Sequence, residues 1–509
     1  MQPPDDDEFD DASPAPLDLP PEQFRDLGHR LVDQIADFLA SVPSRSTAPE
    51  AGSAEIHAAL GTGALPEDGA APDVLLDRAV DLLTRYSRLN GHPRSWGYII
   101  GSPAPIGMLG DFLASAVNPN CAAWTASPAA AEMERQVVRW IGELLGYPAG
   151  CGGLLTSGGT MANIVGMLAA RRAKAGPEVR TAGMAGEAGR GLRLYATRET
   201  HSWIRKAADI AGFGTDAIHW VPTDEALRLD VGALGRRIDE DRARGEAPFL
   251  VVASAGTVST GAIDPLPEIA ALCRDKDLWF HVDGAYGAPA VSVPGTPADL
   301  AGLREADSLA VDGHKWLYVP LEAGCALLRD PAVLPETFAY GASYYHYATS
   351  PEDEPIHYNE HGQQTSRSLR ALKLWLALGQ AGRKGYVGMI ERNLRLSRAM
   401  YRAVAEAPEL EAASQNLSIA TFRYVPGDLD PGDGAVAAYL DLLNAALVTR
   451  LQQSGEIFIS NAVVGGRFLL RACITNFRTG PADVGAVPEI VRRHGAALDR
   501  EMRPERLRR

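Results

Sequence analysis

Residues 154–171 read LLTSGGTMANIVGMLAAR, an apolar run that breaks at Ser157-Gly158-Gly159-Thr160 and continues as a helical pattern. The stretch is a strand, a glycine turn and a helix. Gly158 and Gly159 permit close approach of the backbone, and the N–H groups that open the helix, with Thr160, make an anion site supported by the helix dipole. The same residues also read as an ordinary helix start with Thr160 at or near the cap. The turn matches neither the Walker pattern nor GxGxxG, which argues against a nucleoside triphosphate or a dinucleotide.

Outward from this unit a strand–helix rhythm continues. Apolar runs at 152–156, 192–197, 217–221, 249–254, 278–283, 308–312 and 324–329 predict seven strands, several of them separated by helices. Continuous apolar strands alternating with helices predict an α/β domain with a mostly parallel sheet covered on both faces. Helices are expected at 106–117 and 131–146, and 173–191 reads as a surface loop. Near the start, Phe24, Leu27, Leu31, Ile35 and Leu39 have the spacing of an amphipathic helix over 22–42, and 43–80 reads as linker with short helices. Two helices, 365–379 and 381–407, precede a change of pattern: strand 417–425, helix 433–452, two strands and a last helix 482–499. That is a small α+β domain. The expected division is an acidic disordered tail (1–18), an N-terminal helical segment (19–105), a large domain (106–380) and a small C-terminal domain (381–509). No internal repeat is visible.

The 509 residues are 46% hydrophobic and 22% charged, with a net charge of −15. That acidity argues against nucleic acid or an anionic membrane as a partner. Part of it is local, in DDDEFDD at 5–11. The acidic start without an apolar h-region predicts no secretory signal, and no uninterrupted apolar segment is long enough to cross a bilayer. Five cysteines without CxxC spacing predict reduced thiols in a cytoplasmic protein and no metal site.

Ligands of doubly wound sheets sit at the carboxyl ends of strands, and four features fall there. Besides the glycine turn, Asp283 ends the strand of LWFHVDGAYGA (278–288), with Ala285 beyond it as a small surface against a ring. Asp283 is either a partner for a cationic ring nitrogen or a strand-end turn residue. His201 follows the strand 192–197, placed to stack on an aromatic cofactor or to cap a helix. Lys315 lies in LAVDGHKWLYVP (309–320), preceded by His314. A lysine in so apolar a setting either loses its proton and serves as an amine nucleophile, or runs its head to the surface. In the order phosphate turn, His, Asp, Lys, these are the parts of a pyridoxal phosphate site.

TSGGTMAN, ETHSW, HVDGAYG and DGHKW, with HPRSWGYI (92–99), WTASPAAAEMER (124–135), ASYYHY (342–347) and LLRACITN (469–476), resemble the group II pyridoxal-phosphate-dependent amino-acid decarboxylases over about residues 20–500. The resemblance implies the aspartate-aminotransferase-like fold of the type I pyridoxal enzymes and a homodimer with sites at the interface. It also implies pyridoxal 5'-phosphate bound covalently to Lys315, Asp283 on the ring nitrogen, and His201 stacked on the ring. Gly159 and Thr160 then hold phosphate, with Thr257 and His314 as further cofactor contacts. Asp312 stands where animal members often have Asn, and a carboxylate is a poor direct phosphate ligand, so no such contact is assigned to it.

The implied reaction is decarboxylation of an L-amino acid to the amine and CO2, with a loop tyrosine returning a proton to Cα. Tyr344 matches that position, with Tyr345 adjacent. For the substrate, WTASP resembles the aromatic subgroup and NPN (118–120) the glutamate subgroup. The expectation is an aromatic amino acid, with an acidic one as the alternative and an aldehyde-forming decarboxylase or an aminotransferase behind it. Arg471 aligns with an arginine of both subgroups, as a carboxylate ligand or a structural residue.

Overall fold

Five carboxyl ends converge on one edge of a seven-stranded sheet, and that convergence is what the fold contributes to function. The computed structural model describes residues 15–49, 51–61, 63–341 and 355–508. The strands are β1 (Gly152–Thr156), β2 (Leu192–Thr197), β3 (Ile218–Val221), β4 (Ala247–Ser254), β5 (Trp279–Asp283), β6 (Ser308–Asp312) and β7 (Gly324–Leu328). Their order is β1-β7-β6-β5-β4-β2-β3. Only β7 runs against its neighbours, pairing antiparallel with β1 and β6, while the other neighbours pair in parallel.

Alternation of side chains gives each face of the sheet its own core. Leu250 and Val252 of β4 pack with Ile164, Val165 and Met167 on one face. Val251 and Ala253 pack with Val137, Val138 and Ile141 on the other. In chain order the helices up to the first of these layers are α1 (Pro21–Ser41), α2 (Ser53–Leu60), α3 (Pro72–Tyr86), α4 (Pro105–Val117), α5 (Pro128–Leu145) and α6 (Gly159–Ala175). α6 lies directly on the sheet. A Cβ at Gly166 would come within 2.6 Å of the His281 ring, so only glycine allows this approach.

The chain separates into two compact units, residues to Leu89 and Asn90–Arg509. In the first, α1 and α3 both start on a proline at the first helical position, which needs no N–H there. Asp77 of α3 accepts a hydrogen bond from Gln34 of α1 at 3.0 Å and pairs with Arg30. No residue of these two helices is buried, and α3 is a longer helix than the linker reading of 43–80 anticipated.

Residues 90–104, grouped by sequence with the N-terminal helices, belong to the second unit. Trp96 N–H donates to Phe458 O at 2.7 Å, Cys473 N–H donates to Trp96 O at 2.9 Å, and Gly101 N–H donates to His314 O at 2.8 Å. This strap thus runs from the C-terminal sheet to the Lys315 loop. Helix Ala371–Glu406 crosses the expected domain boundary at residue 380 and breaks at Gly382 (φ +60°), where the sequence predicts two helices.

The C-terminal sheet is antiparallel, in the order β10 (Ser460–Val464), β11 (Arg467–Cys473), β9 (Ile419–Tyr424), β8 (Leu410–Asn416). Against the expectation of no bilayer-length apolar segment, helix Gly434–Ser454 is long and apolar enough by length and composition. Here it is a core helix, burying Val436, Leu440, Leu443, Leu447 and Leu451 against this sheet's residues.

Candidate active site

A cavity of about 350 Å³ opens at the carboxyl ends of β1, β2, β4, β5 and β6. It brings together Gly159, Thr160, His201, Thr257, Asp283, Ala285, His314 and Lys315, all eight described residues that the sequence selects. Tyr344 and Tyr345 lie outside the described residues. Among the described residues, no cluster of three or more His, Cys, Asp or Glu has the arrangement of a metal site.

The glycine turn opens α6 through Gly158, at φ +152°. A Cβ on Gly159 would stand 3.0 Å from Ala285 Cβ and 3.1 Å from Asp312 Oδ2, so the turn presses against β5 and β6. The sequence gives the Gly159 N–H to phosphate. Here that N–H is donated to Asp312 Oδ2 at 3.1 Å. Ala162 N–H is donated to Gly158 O. Of the first turn, Thr160 and Met161 line the cavity with N–H groups that have no intrahelical acceptor.

Asp283 ends β5. Trp203 Nε1–H donates to its Oδ2 at 2.7 Å and Ala285 N–H donates to its Oδ1 at 3.2 Å. Among the described residues no Lys, Arg or His pairs with it, so a carboxylate facing the cavity has neutral donors only. Ala285, two residues on, is buried and offers a flat, small wall.

His201 lines the cavity, and its Nδ1 accepts the Trp203 backbone N–H at 3.1 Å, which puts the ring hydrogen on Nε2. Desolvation holds its pKa below the ordinary value. Asp283 opposes that shift and Lys315 adds to it. A neutral ring is the form suited to stacking.

Lys315 is neither sealed in the core nor run out to the surface. Its side chain is 18% exposed, and Nζ stands 3.9 Å from Asp312 Oδ2. His314 Nδ1 is 2.9 Å from Asp312 Oδ1. That His314 nitrogen accepts the Ala323 N–H, so Asp312 is engaged through Oδ2, by Lys315 and by α6. Thr257 is buried, accepts Ala262 N–H at 3.2 Å through its hydroxyl, and lies beside Gly256 at φ +101°.

Sequence reasoning missed Trp203, Met161, Ser254 and Tyr286 as lining residues. Trp203 and Tyr286 lie inside the motifs ETHSW and HVDGAYG, but an indole donor to Asp283 depends on how the helix Trp203–Ile210 and β5 meet. Tyr286 is buried, stacks on Trp316 at 5.0 Å, and its hydroxyl lies 2.7 Å from Ser418 Oγ of the small domain. Arg471 is not a lining residue. Its Nη1 donates to Gly97 O and Ser460 Oγ, while among the described residues Nε and Nη2 have no hydrogen-bond partner. Burial lowers its pKa.

These residues fit pyridoxal phosphate. The first-turn N–H groups of α6 suit a phosphate, the cation-free Asp283 suits a protonated ring nitrogen, Ala285 and His201 suit the ring faces, and Lys315 supplies the amine. Comparison with known proteins agrees. The model of the pyridoxal-dependent decarboxylase conserved domain matches residues 63–425. An aromatic-L-amino-acid decarboxylase of Bacillus atrophaeus is 33% identical over 91% of this chain and 93% of its own. A phenylacetaldehyde synthase of Petunia hybrida is 27% identical over 94% of this chain and 96% of its own. The crystal structure of Oryza sativa TDC with PLP and tryptamine superimposes with a TM-score of 0.87 at 26% identity, covering 96% of this chain and 100% of that one. The fold is therefore that of the type I pyridoxal enzymes.

Proposed function

The chain belongs to the pyridoxal-dependent decarboxylase family, and from that premise we propose that it converts an aromatic L-amino acid to its amine and CO2. It is a pyridoxal-phosphate-dependent carboxy-lyase. The aromatic assignment rests on the charge of the cavity. Lys315 is the only Lys or Arg among its described lining residues, which leaves no second cation for an acidic side chain. Asn120, which favours an acidic substrate in the sequence, has its Oδ1 taken by the N–H groups of Ala122 and Arg367 and does not line the cavity. The 33% identical Bacillus atrophaeus relative supports the same reading.

Pyridoxal phosphate, when bound, supplies a ring that accepts the electron pair released with CO2. The chain's own residues do the rest. Thr160 and Met161 bind phosphate through their N–H groups. Asp283 keeps a proton on the ring nitrogen by stabilising its positive charge, and Trp203 and Ala285 fix that carboxylate's orientation. His201 and Ala285 hold the ring from its faces. Lys315 provides the amine that anchors the cofactor covalently. Tyr344 delivers a proton to substrate Cα.

The same reading makes the enzyme a cytoplasmic homodimer. Glycines 107 and 110 of α4 pack tightly on Pro320, Leu376 and Lys373, which turns Leu109, Phe112, Leu113 and Val117 outward, each about half exposed or more. An apolar face of this kind supports a subunit contact. All five cysteines are free thiols, which fits a reducing compartment.

The test is incubation of the cofactor-loaded enzyme with each proteinogenic amino acid, with products read by mass spectrometry. Amines from Trp, Tyr or Phe are expected. Release of CO2 from glutamate or aspartate alone would overturn the aromatic assignment.

A further inference from the structure

His281 precedes Asp283 by two residues on β5, so both side chains lie on one face of the strand. It is fully buried and does not itself line the cavity, yet both of its ring nitrogens are engaged. The direction of each hydrogen bond can be worked out. Trp279 Nε1–H can only donate, and it does so to Ser308 Oγ at 2.8 Å. The Ser308 hydroxyl hydrogen is then given to His281 Nδ1 at 2.7 Å, which makes Nδ1 an acceptor. The ring hydrogen is on Nε2 and goes to Asn163 Oδ1 at 2.7 Å. Asn163 Nδ2 in turn donates to Gly159 O, the first residue of α6, at 2.8 Å. The chain needs a neutral imidazole, and burial holds the His281 pKa down at about 4.

This chain joins β5 to the turn that opens α6. Trp203, the donor to Asp283, packs edge-on against the same ring at 5.9 Å and 78°. The helix backbone sits on the imidazole at Gly166, so the ring has no room to turn over. We propose that His281 and Asn163 are positioning residues that fix the separation between Asp283 and the first turn of α6, the anchors for the two ends of the cofactor. The inference rests on the reading of the cavity as a pyridoxal phosphate site.

The physical reason is linkage. A ligand held at both ends binds more tightly than its halves only where the two anchors stand at the spacing of the ligand. Packing alone would be met by an apolar side chain of similar size. A directional chain of four hydrogen bonds is needed only where register must be held.

The test uses cofactor-free protein and three probes: pyridoxal 5'-phosphate, pyridoxal and inorganic phosphate. Dissociation constants are measured for wild type, His281→Leu, Asn163→Ala and His281→Gln. The expected result is that pyridoxal 5'-phosphate binds about 10–100-fold more weakly to the Leu and Ala variants. Pyridoxal and phosphate should each stay within about twofold of wild type, because each needs one anchor only. His281→Gln should recover part of the loss, since its amide can accept from Ser308 and donate to Asn163. If His281→Leu fails to fold, Asn163→Ala carries the test with the ring in place. Parallel weakening of all three probes, or unchanged pyridoxal 5'-phosphate binding, would overturn the proposal. Wild-type protein that binds neither pyridoxal 5'-phosphate nor pyridoxal would instead overturn the cofactor reading itself.

Discussion

Asp283 and Asp312 end adjacent parallel strands, point into the same cavity and have opposite surroundings. Asp283 receives two neutral donors, Trp203 Nε1–H and Ala285 N–H, and among the described residues no cation. Asp312 accepts the N–H of Gly159 and stands 3.9 Å from the Lys315 ammonium. A carboxylate with only neutral donors is open to a cation brought by a ligand. One already facing a lysine of the protein and accepting a backbone N–H organises the protein instead. The strand end supplies the position, and the neighbours decide the role.

The sharpest way to break this contrast is Asp283→Asn. A neutral amide cannot stabilise a protonated ring nitrogen, so kcat/KM should fall about a thousandfold, a loss of about 4 kcal/mol. Steady-state kinetics at saturating cofactor check it, and a variant within about tenfold of wild type would remove Asp283 from its role.

That contrast was only half legible in the sequence. HVDG and DGHKW mark both aspartates as strand-end residues, and the limits of β1, β2 and β6 are those the apolar runs predict. What the sequence could not carry is which groups from distant elements meet each carboxylate. Trp203 comes from the helix after β2, and its indole finds Asp283 across 80 positions. The Gly159 N–H reaches Asp312 across 153 positions, so the turn read as a phosphate contact is already spent at its first residue. β8 was missed for a different reason. LEAASQN has no alternation, and all seven of its residues are half-buried.

Tyr344→Phe separates proton delivery from both carboxylates. Phe keeps the ring but loses the proton, so CO2 release should continue while product moves from amine toward aldehyde, ammonia and peroxide with uptake of O2. Family members with Phe at the matching position are aldehyde synthases, as the resemblance implies. Amine as sole product at an undiminished rate would assign the proton to another group, with Tyr345 next.

The β5 end can also be probed by acid. The unfolded His281 takes up a proton near pH 6.5, whereas the folded ring resists until about pH 4, because burial outweighs the pull of Asp283. Above pH 6.5 the ring is neutral in both states and costs nothing. As pH falls from 6.5 to 4 the unfolded state is favoured, by about 3 kcal/mol at the lower end. Asp264, whose pKa burial raises to about 6, bends the profile the other way as pH rises from 3.8 to 6. Denaturant titrations of wild type against His281→Gln isolate the histidine's share, and identical pH slopes would contradict a buried neutral ring.

Asp312→Asn should have the smallest effect. The amide can still accept the Gly159 N–H, and the change removes a negative charge beside the phosphate turn. Turnover should stay within about tenfold, and pyridoxal 5'-phosphate should bind as well or better, by up to about 1 kcal/mol. Loss on the scale of Asp283→Asn would erase the distinction between the two strand ends.

The central claim is that the cavity between these two aspartates holds pyridoxal phosphate on Lys315. Borohydride reduction of the cofactor-loaded enzyme followed by peptide mapping tests it directly. The account predicts a single pyridoxyl group, on the lysine of DGHKW, and none after Lys315→Ala. A pyridoxyl group on another lysine, or label persisting in the Lys315→Ala protein, would contradict it.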